Sequence, residues 1–114
     1  VGLPDAGSLM PSELSGGMRK RIGLARTMIL KPELMLYDEP TTGLDPITSK
    51  EISKLILEVQ KKLQTTSIII THDIECARIT ANRMIIIKDG VCAAEGTYKE
   101  LAQSEDEWVR SFFE

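Results

Sequence analysis

The chain has 114 residues and is 42% hydrophobic, so it can form one small domain with a buried core and is unlike disordered or fibrous proteins. Its formal net charge of −3 argues against general nucleic-acid binding, which depends on many phosphate contacts from Lys and Arg. No apolar run approaches the roughly 20 residues that span a bilayer, and we expect no direct membrane insertion.

The first predicted helix lies in the segment MPSELSGGMRKRIGLARTMI, residues 10–29. Ser15 is its expected N-cap, and Pro32 ends the run. For the basic side chains of Lys20 and Arg21 we favour a solvated helix face. Apolar residues recur at the spacing of one helix face, which predicts that they face the core: Met18, Ile22, Ala25 and Ile29.

Two short apolar runs predict strands, one at residues 34–37 in ELMLYDEP and one at residues 67–71 in TSIIITHD. Because neither run alternates with polar residues, we expect strands that are buried on both faces of a parallel sheet. Between them, Asp45 followed by Pro46 predicts the start of an amphipathic helix that continues to Leu63. The order of these elements indicates a βαβ unit.

The remaining residues predict a short helix, a hairpin and two terminal helices. The short helix covers Ile74 to Thr80, and RMIIIKDGVCAAEG reads as two strands joined by Asp89 and Gly90. Capping boxes predict where the terminal helices begin, at Thr97 with Glu100 and at Ser104 with Glu107. The two cysteines, Cys76 and Cys92, are expected to be reduced thiols without a function.

The sequence LSGGM contains the residue types of a phosphate site. Gly16 and Gly17 allow backbone N–H groups to turn toward a ligand, and the helix that begins at Ser15 directs its positive dipole end the same way. A serine N-cap beside a glycine-rich turn explains the same letters without any ligand. The motif alone leaves both interpretations open.

Acidic residues and the only histidine follow the two predicted strands. Asp38 and Glu39 end the first strand and His72 follows the second, so a parallel sheet would place all three at one edge, where ligand crevices open. A carboxylate there can hold a Mg²⁺ water, its neighbour can orient or deprotonate an attacking water, and an imidazole can donate to a phosphate. Two acids that cap a turn and a structural histidine are the alternative.

Taken in order, LSGGM, LMLYDEP, TTGLDP and THD resemble the signature motif, Walker B, D-loop and H-loop of ATP-binding cassette (ABC) ATPases, a likeness that runs from Leu14 to about Leu101. The resemblance implies an α/β, P-loop NTPase fold, of which this chain is the C-terminal part: a parallel βαβ core with a β-hairpin and terminal helices. Residues 1–31 would end the helical subdomain, and residues 32–114 would run from Walker B to the C-terminus of the ATPase core. Met18 stands where many family members carry Gln and is expected to pack instead.

The resemblance also implies roles for these residues. Glu39 would be the catalytic base of ATP hydrolysis, His72 would contact the γ-phosphate, and Asp38 would support Mg²⁺ through water. The signature and D-loop would act in trans on ATP held mainly by a second subunit, through Ser15, Gly16, Gly17 and Asp45. The P-loop string G-x-x-x-x-G-K-[ST] does not occur in these residues, so the chain alone is expected to be inactive.

The implied partners are a second copy of the subunit and membrane permease subunits, at the cytoplasmic face of the inner membrane. The C-terminal SEDEWVRSFFE, together with LSGGM and DEPTTGLDPIT, resembles the ATPases of bacterial Mla-type transporters, which move phospholipid or related lipids across the envelope. Two alternatives stay open. One is a non-transport ABC ATPase that acts on DNA or ribosomes, and the other is a truncated, non-enzymatic interaction module.

Overall fold

Two parallel strands joined by a helix form the centre of the structure, a computed structural model that describes residues 1–114. The elements follow the predicted order. After a 3₁₀ turn at Pro11–Glu13 they are α1 (Gly16–Met28), β1 (Leu34–Asp38), α2 (Pro46–Leu63), β2 (Thr66–Ile70), α3 (Ile74–Thr80), β3 (Met84–Lys88), β4 (Val91–Gly96), α4 (Tyr98–Ala102) and α5 (Glu107–Ser111).

The strands form two separate two-stranded sheets. β1 and β2 are parallel, with Leu36 opposite Ile68 and Asp38 opposite Ile70, and α2 connects them, which confirms the predicted βαβ unit. β3 and β4 are antiparallel, and their turn residues Asp89 and Gly90 have φ angles of 51° and 80°. Positive φ at both positions is what a tight hairpin turn requires, so the predicted hairpin is confirmed.

The parallel strands are covered on one face only, and the prediction of burial on both faces is wrong. Met35 is 2% exposed, whereas Leu36 is 69% exposed. On the neighbouring strand Ile68 and Ile70 are 55% and 61% exposed. Successive side chains of a strand point to opposite faces, and α1 and α2 pack against the face that Met35 shares. The residues on the exposed face are apolar as well, so the sequence did not indicate which face would be covered.

The core lies between α1, α2 and the covered face of the sheet. Leu24, Met35 and Val59 form its centre, and Ile56 of α2 is 1% exposed. The face of α2 is as predicted, but that of α1 is not, since Ile29 is 76% exposed. Helix α1 ends at Met28, four residues before Pro32, and its buried residue is Leu24, which the predicted stripe did not include.

Side-chain caps fix where the helices begin. Ser15 Oγ accepts from Met18 N, Asp45 Oδ2 accepts from Ile47 N, and Thr97 Oγ1 accepts from Glu100 N, as the sequence predicts. The capping box at Ser104 is wrong. The cap of α5 is Asp106, whose Oδ1 accepts from the first-turn N–H groups, and Ser104 Oγ accepts from the N–H of Asp106 instead. Two cap-forming residues lie two positions apart here, and the charged one, Asp106, caps the helix.

The molecule is elongated, measuring 52 × 29 × 24 Å. Its radius of gyration is 15.6 Å, compared with about 13 Å for a compact chain of this length. None of the helices combines the length and the hydrophobicity that a membrane span requires.

Candidate functional site

Glu39 and His72 meet at the edge where β1 and β2 both end. His72 Nδ1 lies 3.1 Å from Glu39 Oε1 and 3.0 Å from Oε2. The His72 side chain is 81% exposed and the Glu39 side chain 34%, so both groups can be reached from solvent. Parallel pairing causes this contact, because Asp38 lies opposite Ile70 and the next residues of both strands leave the sheet together.

The backbone at Glu39 is held in an unusual conformation. Its φ angle is 49°, in the left-handed region that residues other than glycine seldom adopt. The Glu39 N–H donates to the Ile70 carbonyl at 2.8 Å and so extends the strand pairing by one residue. Strained backbone persists only where neighbouring bonds enforce it, and such positions are concentrated at functional sites.

Two basic residues of α1 donate hydrogen bonds to backbone carbonyls. The expectation that both lie on a solvated helix face is therefore wrong. Lys20 Nζ donates to the backbone carbonyl of Glu39 at 3.2 Å, and Arg21 Nη1 donates to the carbonyl of Val1 at 2.9 Å. Lys20 therefore links the signature helix to the strained residue of the site. The sequence contains no signal for this contact, because it depends on how α1 docks against the end of β1.

Hydrogen bonds stabilise Glu39 as the carboxylate. The bond from His72 lowers the pKa of the Glu39 carboxyl below its ordinary value, and Thr42, whose Oγ1 donates to Oε2 at 3.2 Å, acts in the same direction. Glu39 is therefore ionised at neutral pH. A carboxylate with a lowered pKa is a weak base, so its strength here lies in orienting a water and opposing its charge.

Two further side chains support these loops, and sequence reasoning missed them. Thr41 Oγ1 donates to Asp73 Oδ2 at 2.8 Å, and Asp73 Oδ1 accepts from the N–H of Cys76. Asp73 is thus the N-cap of α3, which an aspartate directly before a predicted helix could have indicated. No sequence pattern pairs it with Thr41.

The residues of LSGGM lie beside the start of α2. Ser15 and Gly16 are exposed and Gly17 is half-buried. A Cβ added at Gly16 would lie 3.1 Å from Leu44, and one added at Gly17 would lie 2.8 Å from Thr48. The glycines therefore allow close approach of two helix starts, whatever else they bind. The Ser15 hydroxyl accepts from Met18 N and keeps its own proton free to donate.

Asp45 lies at the same place and is fully engaged within the chain. Oδ2 accepts from the N–H groups of Ile47 and Thr48 at 3.1 and 3.0 Å, and Oδ1 accepts from Thr48 Oγ1 at 2.6 Å. These bonds, that from the Thr48 hydroxyl above all, lower the pKa of Asp45. Its position is thereby fixed at the surface, next to the glycines.

A cleft of about 410 Å³ opens beside His72. Its walls are the loop after Glu39, residues 41–44, and the first turns of α2 and α3, and most of the lining side chains are polar. The structure thus places His72 and the D-loop segment around one opening, and Glu39 does not line it but is bonded to His72. Asp38 is exposed, one residue before Glu39.

The donor set limits what these residues could hold. No group of three or more His, Cys, Asp or Glu side chains is arranged to enclose a metal ion. Asp38 and Glu39 supply carboxylates at one edge, and one or two carboxylates are what Mg²⁺ uses when waters and nucleotide phosphates complete its shell. The residues fit a magnesium ion that arrives with a nucleotide and do not fit an all-protein metal cage.

Comparison with known proteins decides the family. Residues 2–42 match the family described as ABC transporter. Over 98% of its length the chain is 47% identical to the intermembrane phospholipid transport system ATP-binding protein MlaF of Haemophilus influenzae. The chain belongs to the ABC ATPase family. It spans 42% of the length of that relative, and the same share of MlaF from Escherichia coli K12, to which it is 41% identical.

Other ABC relatives are named for different transported substrates. The Fe(3+) ions import protein FbpC 1 of Rhizobium meliloti is 39% identical over 91% of this chain, which covers 30% of that protein. Among solved structures, a nucleotide-free ATP-binding cassette matches 90% of this chain and 41% of its own, with a TM-score of 0.76 and 25% identity. A dimeric cassette bound to ADP and Pi matches 76% of this chain and 37% of its own, with a TM-score of 0.65 and 36% identity. The predicted ABC ATPase fold is confirmed.

Proposed function

We propose that this chain is part of the ATP-binding subunit of an ABC transporter and that the subunit hydrolyses ATP. The contact between Glu39 and His72, at the shared end of two parallel strands, is the observation that carries this proposal. Glu39 would orient and activate the attacking water, and His72 would donate a hydrogen bond to the γ-phosphate. Asp38 would hold Mg²⁺ through a water, and that ion would neutralise phosphate charge.

We propose in addition that two copies of the subunit form the complete site. The exposed start of α1 supports this, because Ser15, Gly16 and the neighbouring Asp45 lie at the surface, with Gly17 half-buried beside them. In this proposal Ser15, Gly16, Gly17 and Asp45 meet ATP that is held mainly by the second subunit. The structural relative with ADP and Pi is itself dimeric. In this proposal residues 1–31 end the helical subdomain and residues 32–114 belong to the ATPase core. Without a P-loop, these residues alone would bind ATP negligibly.

We propose permease subunits at the cytoplasmic face of the inner membrane as further partners, and phospholipid or a related lipid as the cargo. The support is identity to MlaF of 47% and 41%, against 39% to the iron-import relative. Mass spectrometry of the natural complex, purified from its own membranes, tests the cargo. Co-purifying phospholipid bound in stoichiometric amounts is expected, and a bound amino acid or metal ion in its place would contradict the lipid assignment.

Glu39→Gln in the complete natural protein tests the hydrolysis. The substitution keeps the shape and removes the charge, so ATP binding should persist while kcat falls by about 10² or more. Glu95→Gln is the matched control, because Glu95 is likewise exposed and paired, in its case with Arg83 at 2.9 Å, but lies on the hairpin. Phosphate release and nucleotide binding are measured on both variants.

The results separate clearly. Loss of turnover in Glu39→Gln with unchanged Glu95→Gln supports the catalytic assignment. Turnover in Glu39→Gln at the unsubstituted rate would reject Glu39 as the catalytic carboxylate. An unsubstituted protein that neither binds nor hydrolyses Mg-ATP would reject the function itself.

A further inference from the structure

A second, part-buried bond joins the two loops that carry Glu39 and His72. Thr41 lies two residues after Glu39 on one loop, and Asp73 lies one residue after His72 on the other. The Thr41 hydroxyl donates to Asp73 Oδ2 at 2.8 Å. Thr41 is only 5% exposed. The contact therefore lies beside the exposed pair and is better shielded from solvent at its Thr41 end.

The Glu39–His72 contact cannot hold its own geometry. The His72 side chain is 81% exposed, and ion pairs between exposed groups are worth little because water and salt screen them. A hydrogen bond from a buried hydroxyl to a carboxylate is stronger and more directional. The distance between Glu39 and His72 should therefore follow from the bond beside them.

Asp73 is itself anchored on both sides. Its Oδ1 accepts from the N–H of Cys76 at 3.2 Å, and its own N–H donates to Thr71 Oγ1 at 2.9 Å. Cys76 is 1% exposed in the first turn of α3, so this anchor belongs to the interior. On the other loop, the Glu39 N–H is bonded to Ile70 O, and Thr41 is the residue after it whose side chain reaches the His72 loop.

We propose that Thr41 and Asp73 are positioning residues, whose part-buried hydrogen bond holds the Glu39 carboxylate and the His72 imidazole at their working distance. The inference rests on the proposed ATP hydrolysis and adds to it. Neither residue touches the nucleotide in this proposal. Loss of the bond would misplace the reacting groups without removing any of them.

Thr41→Val in the complete natural protein removes the hydroxyl and keeps the shape. The expected result is a kcat lower by about 10-fold to 100-fold, the range that a small misplacement of reacting groups produces, with KM for ATP nearly unchanged. Thr41→Ser keeps the donor and should restore most of kcat. The matched control is Thr80→Val, because Thr80 is also buried, at 6% exposure, and its hydroxyl donates to the Cys76 carbonyl within its own helix.

Asp73→Ser provides the second arm. Serine caps helices as aspartate does, so α3 should keep its cap, but its side chain is too short to reach Thr41. If the pair acts as one unit, the double variant Thr41→Val/Asp73→Ser should lose no more kcat than either single variant. Thermal unfolding of every variant shows whether the protein is folded, and Asp73→Ser carries the test if Thr41→Val does not fold.

The proposal is overturned if Thr41→Val or Asp73→Ser keeps the unsubstituted kcat, if Thr80→Val loses as much as Thr41→Val, or if the two losses multiply in the double variant. These outcomes leave the proposed function intact when Glu39→Gln is inactive. If Glu39→Gln is fully active, Glu39 fails as the catalytic carboxylate and the positioning role fails with it, whereas the proposed hydrolysis fails only if the unsubstituted protein neither binds nor hydrolyses Mg-ATP.

Discussion

Replacing Gly17 by alanine should destabilise the protein, although the same change elsewhere in α1 should stabilise it. The added Cβ would lie 2.8 Å from Thr48 Cγ2, about 0.6 Å closer than the 3.4 Å at which ordinary contacts begin. Thr48 cannot easily move, because it is β-branched and its Oγ1 donates to Asp45 Oδ1 at 2.6 Å. Rotating it away would break that bond at the start of α2.

The cost follows from comparable overpacking, which typically destabilises by about 1–3 kcal/mol. Gly23 in the same helix has no atom within 4 Å of an added Cβ, so Gly23→Ala should stabilise by about 0.5–1 kcal/mol through helix propensity. The two variants should therefore change the free energy of unfolding in opposite directions. Urea unfolding followed by circular dichroism measures both.

A third variant tests the cause. Thr48→Ser removes the Cγ2 methyl group and keeps the hydroxyl bonded to Asp45, so Gly17→Ala combined with Thr48→Ser should recover most of the loss. The reasoning is refuted if Gly17→Ala is as stabilising as Gly23→Ala, or if Thr48→Ser gives no relief. In either case the glycine would need an explanation outside helix packing.

Two further predictions concern the reactivity of the cysteines and the dependence of stability on alkaline pH. Cys92 is exposed and Cys76 is 1% exposed, so a thiol reagent should modify Cys92 at once and Cys76 only on unfolding; equal rates in the folded protein would contradict the buried position. Burial raises the pKa of Cys76 above its ordinary 9.0, so the folded state keeps a proton that the unfolded chain releases. Stability should accordingly fall as the pH rises above about 9, and the same holds for Tyr37 from about 10; Cys76→Ser with an unchanged alkaline profile would exclude the thiol as a source.

Local signals predicted the elements well. Asp45 with Pro46, Asp89 with Gly90, and the short helix Ile74–Thr80 all lie where the sequence places them. Each depends on the backbone preferences of a few adjacent residues, such as a cap oxygen or a positive φ angle. No distant contact is needed to form them, and this is why one sequence suffices.

Packing could not be predicted in the same way. The pattern of apolar residues did not indicate that Leu24 would be buried and Ile29 exposed, or that Ile68 would face solvent. Lys20 reaches a carbonyl nineteen positions away, and the Thr41–Asp73 bond joins residues thirty-two positions apart. Such contacts depend on where whole elements dock, which hydrophobic periodicity constrains only loosely.

The site was partly predictable, because the strand register brings together two local motifs that are distant in the sequence. Asp38 lies opposite Ile70, so the first residue beyond one strand meets the second residue beyond the other, and Glu39 reaches His72. A slip of one residue would turn every side chain of a strand to the opposite face and separate the pair. The contact between the acid and the imidazole therefore depends on the register of the five residue pairs that precede them.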